Sequence, residues 1–84
     1  MAEEIGNIPR DAWVRMVIGS NIKKLRKKHM MTQVELANCT GINRITIAKI
    51  ETYKQAITLI TLLTIAKALE ESPDELLKGW EHYF

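Results

Sequence analysis

The chain has 84 residues, of which 46% are hydrophobic and 26% are charged, and its formal net charge at pH 7 is +2. This length predicts one domain with a modest core, near the size at which a chain can fold without disulfides or metals. Its one cysteine, Cys39, excludes an internal disulfide framework and a multi-cysteine zinc site, which is typical of a reducing cytoplasm.

Two features of the sequence argue against secretion and against a membrane span. Glu3 and Glu4 stand where a secretory signal would carry positive charge. The longest apolar run, ITLITLLTIAKAL, is interrupted by threonines and a lysine and is too short to cross a bilayer. We therefore expect a soluble, cytoplasmic protein without a membrane partner.

The basic residues are concentrated between residues 10 and 54. This segment holds ten Lys or Arg and three acidic residues, a local net charge of +7, whereas residues 55–84 have a local net charge of −3. Such segregation is typical of a protein that presents one face to a polyanion. For the run KKLRKK alone, an ordinary solvated surface is the alternative.

Helical spacing of apolar residues begins near the N-terminus and predicts a first helix from about Asp11 to His29. Its inward stripe is expected to comprise Val14, Ile18, Ile22, Leu25 and His29. Gly19 and Ser20 are a weak point, where the helix is expected to kink or to divide into two shorter helices.

Two short helices follow. Thr32 and Glu35 have the spacing of a capping box, which predicts a second helix that ends at Gly41. Asn43 is a favourable N-cap for a third helix, from Arg44 to about Thr52. Neither helix is long enough to be stable in water on its own, so the pair must be stabilised by packing.

The last third of the chain predicts two further helices. Thr58 can cap a fourth helix that continues to Leu69. Its apolar face is expected to comprise Leu59, Leu62, Leu63, Ala66 and Leu69. Ser72 and Pro73 combine an N-cap with a proline at the first helical position, which opens a fifth helix. The predicted fold class is all-α, with five helices in one compact unit.

The second and third helices have the residue types that a helix-turn-helix requires. Leu36 is an apolar anchor, Ala37 is small enough for close helix approach, and Gly41 can take a positive φ at the turn. Ile47 and Ile50 would then face inward. The residues left pointing outward are Arg44, Ile45, Ala48 and Lys49, with Thr46 beside them.

From about Ile18 to Leu77 the chain resembles the Cro/phage-repressor type of helix-turn-helix proteins, often called XRE-like. Three segments carry the resemblance: IGSNIKKLRKKHMMTQVELA, GINRITIAKIE and LLTIAKALEESPDELL. The joint spacing of six residues with the later IAKAL makes it specific: Gln33, Ala37, Gly41, Ile47, Ile50 and Glu51. It implies a lambda-repressor-like domain over residues 1–84. Within it we expect an extension at 1–17, the helix-turn-helix at about 32–52, and a C-terminal helix with an aromatic tail at 72–84.

The resemblance implies sequence-specific binding of double-stranded DNA, usually as a homodimer, with the helix at 44–52 in the major groove. The residues then expected to read bases are Arg44, Ile45, Ala48 and Lys49. Arg44 can donate to guanine O6 and N7, and Ile45 can contact thymine methyl groups. The alternative for Ile45 is a stray exposed apolar residue, which is common on protein surfaces.

The family also implies contacts to the DNA backbone and one structural ion pair. The expected phosphate-contacting residues are Gln33, Asn43, Thr46, Thr52, Lys54 and Gln55. A glutamine at the position of Gln33 clamps a phosphate in the family, whereas Asn43 is equally well explained as an N-cap. Arg26 is expected to pair with Glu51.

Two residues after the third helix depart from the family pattern, with Tyr53 in place of the usual Gly and Ile57 in place of the usual Pro. A tyrosine disfavours positive φ, so the loop is expected to follow another path. Tyr53 would then lie either against the DNA backbone or over the core.

The C-terminus is unusually rich in aromatic residues, which are Trp80, Tyr83 and Phe84. Exposed aromatic clusters of this kind commonly mark interfaces. The three residues are therefore candidates for a dimer interface, although they could also cover the core together with Trp13.

Nothing in the sequence indicates catalysis, a cofactor or a metal. His29, Cys39 and His82 lack the spacing of metal ligands or of a catalytic triad, and there is no Gly-rich phosphate loop. Two alternatives to a DNA-binding regulator remain on the same fold. One is an antitoxin that neutralises a partner toxin and autoregulates its operon, and the other is a factor that bridges a DNA-bound protein to the transcription machinery.

Overall fold

The computed structural model describes residues 8–84. Its helices are α1 Arg10–Lys28, α2 Gln33–Thr40, α3 Arg44–Glu51, α4 Leu59–Leu69 and α5 Pro73–Leu77, followed by a 3-10 turn at Trp80–His82. The described residues contain no strand, and the predicted all-α class is confirmed. No helix among them is long and apolar enough to cross a bilayer. The expectations for residues 1–7, Glu3 and Glu4 included, lie outside the described part of the chain.

Polar side chains begin four of the five helices by accepting hydrogen bonds from otherwise free backbone N–H groups. At the start of α2, Thr32 Oγ1 accepts from the Glu35 N–H at 3.0 Å, and the Glu35 carboxylate accepts from the Thr32 N–H at 2.8 Å. This is the predicted capping box. The side chains that begin α3, α4 and α5 likewise accept a hydrogen bond from a backbone N–H of the first turn; they are Asn43, Thr58 and Ser72. Each such cap typically stabilises a helix by about 1 kcal/mol.

α1 is one continuous helix of 19 residues, so the kink or break predicted at Gly19 and Ser20 is wrong. Gly19 is instead a point of close packing between helices. A Cβ atom added there would clash with the backbone carbonyl of Ile50. Glycine therefore allows α3 to approach the backbone of α1, at the modest cost in helix propensity that any interior glycine carries.

A single cluster of buried apolar side chains joins the five helices. Its members are Ile18, Ile22, Leu25, Leu36, Ile47, Ile50, Leu62, Ile65, Ala66, Leu69 and Leu76. α2 contributes Leu36 and α3 contributes Ile47, both with no exposed surface. Because helices of eight residues are only marginally stable in isolation, this packing is what stabilises α2 and α3. His29, predicted to face inward, lies at the surface beyond the end of α1.

α4 buries a narrower face than the sequence suggested. Its buried residues are Leu62, Ile65, Ala66 and Leu69. Leu59 and Leu63, both predicted to face inward, are 71% and 45% exposed, and Ile60 is 78% exposed. A helix buries one stripe at i, i+3, i+4 and i+7, and the stripe that begins at Leu62 leaves out Leu63 and Ile60. α4 therefore presents apolar side chains to solvent as well as to the core.

Glu71 connects the C-terminal end of α1 to the loop between α4 and α5. Its carboxylate lies 2.7 Å from His29 Nε2 and 3.1 Å from Lys28 Nζ. The hydrogen bonds from His29 and then Lys28 lower the pKa of Glu71 below its ordinary value of 4.5. A folded-state pKa below the unfolded value means that the folded chain binds this proton less strongly. The stabilisation by Glu71 is thus complete above pH 4.5 and is lost as the pH falls through the folded-state pKa.

We expect the Glu71→Gln variant to be less stable than the wild type at neutral pH. The difference in the free energy of unfolding should shrink as the pH falls below 4.5 and through the lowered folded-state pKa of Glu71. Urea unfolding at a series of pH values measures this difference. The exposed neighbour Glu70→Gln is the matched control, because it removes a carboxylate and leaves the contacts of Glu71 with His29 and Lys28 in place. Parallel curves for Glu71→Gln and the wild type would contradict the assignment.

Candidate nucleic-acid interface

The turn between α2 and α3 is tight and its backbone groups are hydrogen-bonded. Gly41 takes φ 73° and ψ 7°, and its N–H donates to the Ala37 carbonyl at 2.9 Å. The Thr40 hydroxyl donates to the Leu36 carbonyl at 2.8 Å and accepts from the Ile42 N–H at 3.2 Å. The left-handed conformation explains why the turn carries a glycine. It also leaves only three residues between the end of α2 and the start of α3.

α3 has one face in the core and one face in solvent. Ile47, Ile50 and Glu51 are buried. The outward residues expected to read bases are Arg44, Ile45 and Lys49, all exposed, and Ala48, which is half-buried. Arg44 occupies the first turn, the part of a recognition helix that reaches base edges. The structure therefore brings the four residues together on one accessible surface.

The six residues expected to contact phosphate flank this surface but differ in availability. Asn43, Thr52, Lys54 and Gln55 are exposed, whereas Gln33 and Thr46 are half-buried. The Asn43 side-chain oxygen accepts from the Ile45 N–H at 2.7 Å, so this residue is an N-cap whatever else it does. The Thr52 hydroxyl donates to the Ala48 carbonyl at 2.8 Å. Thr52 can therefore donate to a phosphate only by giving up that bond.

A buried ion pair fixes α3 against α1. Arg26 donates from Nε and from its NH2 group to the two Glu51 carboxylate oxygens, at 2.7 and 2.9 Å, and from its NH1 group to the Met31 carbonyl at 2.7 Å. The side chains of Arg26 and Glu51 are 8% and 1% exposed. The hydrogen bonds that Arg26 donates to Glu51 raise the pKa of Arg26 above its ordinary value. The ion pair that the family resemblance implied is thus present.

Gln33 extends this network to the start of α2. Its amide Nε2 donates to Glu51 Oε1 at 3.1 Å. A primary amide carries two N–H donors, so this bond leaves one donor for another acceptor. Glu51 therefore holds the Gln33 amide in place beside the N-terminus of α2, where a phosphate would be favoured.

The turn after α3 follows the path that a glycine would take, and the prediction of another path is wrong. Tyr53 has φ 68°. Its N–H donates to the Ile50 carbonyl at 3.1 Å, and the Lys54 N–H donates to the Lys49 carbonyl at 2.8 Å, as in a Schellman motif. The Tyr53 hydroxyl lies 2.9 Å from Ser20 Oγ. The ring therefore covers the junction of α1 and α3.

Arg15 and Ser20 of α1 contact this turn although no motif pointed to them. Arg15 Nε donates to the Tyr53 carbonyl at 3.1 Å. The available signal was Gly19, because a glycine inside a helical pattern often marks a close backbone approach. Nothing in the sequence identified Tyr53 as the group that approaches.

The aromatic tail packs against the start of α1. The ring centroids of Tyr83 and Trp13 are 6.0 Å apart, and Trp13 Nε1 donates to the Trp80 carbonyl at 3.2 Å. The Phe84 ring lies 5.7 Å from Tyr83 and 5.6 Å from Trp80. Trp80 and Phe84 keep 46% and 58% of their surface exposed. The tail thus has a role within the chain, and its contact with a second copy stays a prediction.

Comparison with known proteins agrees with this geometry. A family model described as helix-turn-helix matches residues 22–76. Control protein C.SmaI of Serratia marcescens is 31% identical over 64 residues, which are 76% of this chain and 76% of the relative. The restriction-modification controller protein C.AhdI of Aeromonas hydrophila superposes with a TM-score of 0.72 at 27% identity, over 74% of this chain and 94% of that chain.

A transcriptional regulator of the same family from Vibrio cholerae gives a TM-score of 0.76 at 29% identity, over 79% of this chain and 37% of that longer one. Among residues 8–84, no group of three or more His, Cys, Asp or Glu side chains could hold a metal ion. The matched region includes α2, α3 and the turn between them. The chain therefore belongs to the helix-turn-helix family of transcription regulators, which bind DNA and are not enzymes.

Proposed function

We propose that this chain regulates transcription by binding a pseudo-palindromic operator as a homodimer, with α3 in the major groove. The observation that carries the proposal is the outward face of α3. Ile45 is 55% exposed there, between the exposed cations Arg44 and Lys49. Base edges in the major groove offer both hydrogen-bond acceptors and thymine methyl groups, which suits this mixture of cations and apolar surface.

The charge distribution supports the same orientation. The segment that contains α1, α2 and α3 carries the local net charge of +7. Positive charge of this kind attracts the phosphate backbone without regard to base sequence. Base preference then has to come from α3, while Gln33 and Lys54 fix the register of the helix on the duplex.

The names of two relatives suggest the regulatory setting. C.SmaI is a control protein and C.AhdI is a restriction-modification controller protein. We propose the same kind of role for this chain, in which it controls an operon from within the cytoplasm. One α3 reaches only a few base pairs, so a specific operator requires two copies with half-sites about 34 Å apart.

We further propose that the two copies meet through the solvent face of α4, which comprises Leu59, Ile60 and Leu63. The three side chains are 71%, 78% and 45% exposed. A contiguous apolar patch is unusual on a monomer and is typical of an interface. Since all three residues are uncharged, a two-fold axis can bring the patch against its own copy without like-charge repulsion.

Selection of bound sequences from a random duplex pool tests this function directly. We expect the wild type to select a two-fold sequence at moderate salt. Arg44→Ala should lose about 1–3 kcal/mol of preference at one base position in each half-site. Lys54→Ala should instead weaken binding to all duplexes and lower the salt slope by about 1.

Lys78→Ala is the matched control, because this exposed lysine lies in the acidic C-terminal segment. It should bind like the wild type. Absence of any selected sequence would refute the proposed function. If Lys54→Ala lost base preference and Arg44→Ala weakened binding to all duplexes, Lys54 would be the base-reading residue and Arg44 the phosphate-contacting one. The antitoxin and bridging alternatives stay predictions. Strong, sequence-selective binding by the purified chain would argue against a bridging factor.

A further inference from the structure

We infer that Arg15, Ser20 and Tyr53 form a brace that positions the turn after α3 on the DNA backbone. The brace comprises Arg15 and Ser20 of α1 and Tyr53 of the turn. The inference rests on the proposed function, because it concerns how Lys54 and Gln55 are presented to phosphates. Arg15 and Tyr53 are thus positioning residues.

The brace contacts Tyr53 at its backbone carbonyl and at its side-chain hydroxyl. Its backbone carbonyl accepts from Arg15 Nε at 3.1 Å, and its hydroxyl lies 2.9 Å from Ser20 Oγ. Between these two contacts, a Cβ on Gly19 would lie 3.0 Å from Tyr53 Cδ1. The ring can therefore lie directly on the backbone of α1, because Gly19 has no side chain.

Tyrosine adopts the backbone conformation of this position less readily than glycine, but its side chain makes contacts with α1 that glycine cannot make. Its φ of 68° is one that glycine adopts freely and a tyrosine adopts with strain. A glycine would supply the turn but neither the ring nor the hydroxyl that reaches Ser20. The side chain thus adds a second attachment of the turn to α1, beside the hydrogen bond from Arg15 to the Tyr53 carbonyl.

The loop that follows is only partly packed against α1. A partly open, mainly apolar cavity of about 210 Å³ separates α1 from this loop, with Val14, Ile18 and Ile57 among its lining residues. Gln55 and Ala56 are exposed. Because this space limits the packing of the loop on α1, the contacts of Tyr53 with Arg15 and Ser20 supplement the two Schellman hydrogen bonds in fixing the turn.

Arg15 itself is held in place rather than directed at solvent. Its NH1 group donates to the Asp11 carboxylate at 2.7 Å, and its side chain is 27% exposed. The neighbouring carboxylate offsets the guanidinium charge. Arg15 therefore acts on DNA through the Tyr53 carbonyl and not by attracting phosphate itself.

The Arg15→Lys variant tests the brace, because lysine keeps the charge and loses the Nε donor. We expect operator binding to weaken about 3- to 10-fold, the effect of losing one or two hydrogen bonds. The base preference should be unchanged, since α3 is untouched. In a Lys54→Ala/Gln55→Ala background the same change should have little further effect, because the groups it positions are gone. Arg10→Lys, on the same helix, is the control and should bind like the wild type.

Tyr53→Gly separates binding from folding. Glycine relieves the positive-φ strain and loses the ring, so the melting temperature should change little while operator binding weakens. Wild-type affinity in both Arg15→Lys and Tyr53→Gly would overturn the brace, and so would a full effect of Arg15→Lys in the Lys54→Ala/Gln55→Ala background. A wild type that selects no sequence would instead refute the proposed function.

Discussion

Replacement of Glu51 with alanine is expected to destabilise the fold by about 3–5 kcal/mol, the usual effect of removing one partner of a buried ion pair. The Glu51 side chain is 1% exposed and accepts three hydrogen bonds, two from Arg26 and one from Gln33. Alanine would leave the Arg26 guanidinium buried without its counter-charge. Urea unfolding followed by circular dichroism measures the loss.

The double variant Arg26→Met/Glu51→Leu is the informative control. It removes both charges and replaces them with apolar groups, so it should be much more stable than Glu51→Ala. Such a result would show that most of the loss in Glu51→Ala comes from the unpaired Arg26 charge and that the pair itself supplies little net stability. A loss below about 1 kcal/mol for Glu51→Ala would mean that the pair behaves like an exposed one.

Helix ends in this chain could be predicted because their chemistry is local. Thr32 and Glu35 form their capping box within one helical turn, and Gly41 has the positive φ that its position in the pattern requires. Burial within α3 was equally predictable, since its inward residues recur at helical spacing. The outward face, with Arg44 at its start, follows from the same period.

The features that could not be predicted depend on contacts between distant segments. Nothing near Gly19 in the sequence shows that the Ile50 carbonyl approaches it, and nothing near Tyr53 shows that it contacts Arg15 and Ser20. The outward face of α4 was missed for another reason. Eight of the eleven residues of α4 are hydrophobic, so their pattern could not show that Leu59 and Leu63 lie outside the buried stripe.

The Ile60→Glu variant is expected to separate the proposed dimer and to weaken operator binding by about 100-fold or more. Ile60 is 78% exposed, so a monomer can accept the glutamate with little loss of stability. In the proposed dimer, two carboxylates would meet apolar surface about a two-fold axis, and such juxtaposition costs several kcal/mol. Analytical ultracentrifugation should give the monomer mass, with the melting temperature of the monomer preserved.

Phe84→Glu is the matched control, because Phe84 is also an exposed apolar residue, at 58%, but lies in the aromatic tail. Arg10 lies 5.3 Å from the centre of its ring and can accommodate the new carboxylate. The tail and the α4 face are competing interfaces, and these two variants distinguish them. Dissociation by Phe84→Glu but not by Ile60→Glu would move the interface to Trp80 and Phe84.

Cys39 can show, without any substitution, whether the dimer interface lies at α4. It is the only cysteine in the chain, it is exposed, and it borders the same surface hollow as Ile60 and Leu63. If the copies meet there, its reaction with a bulky maleimide should slow as rising protein concentration drives dimerisation. Ile60→Glu should abolish that concentration dependence, since its Cys39 stays accessible. A wild-type rate that is independent of concentration, in a protein that sediments as a dimer, would place the interface away from α4.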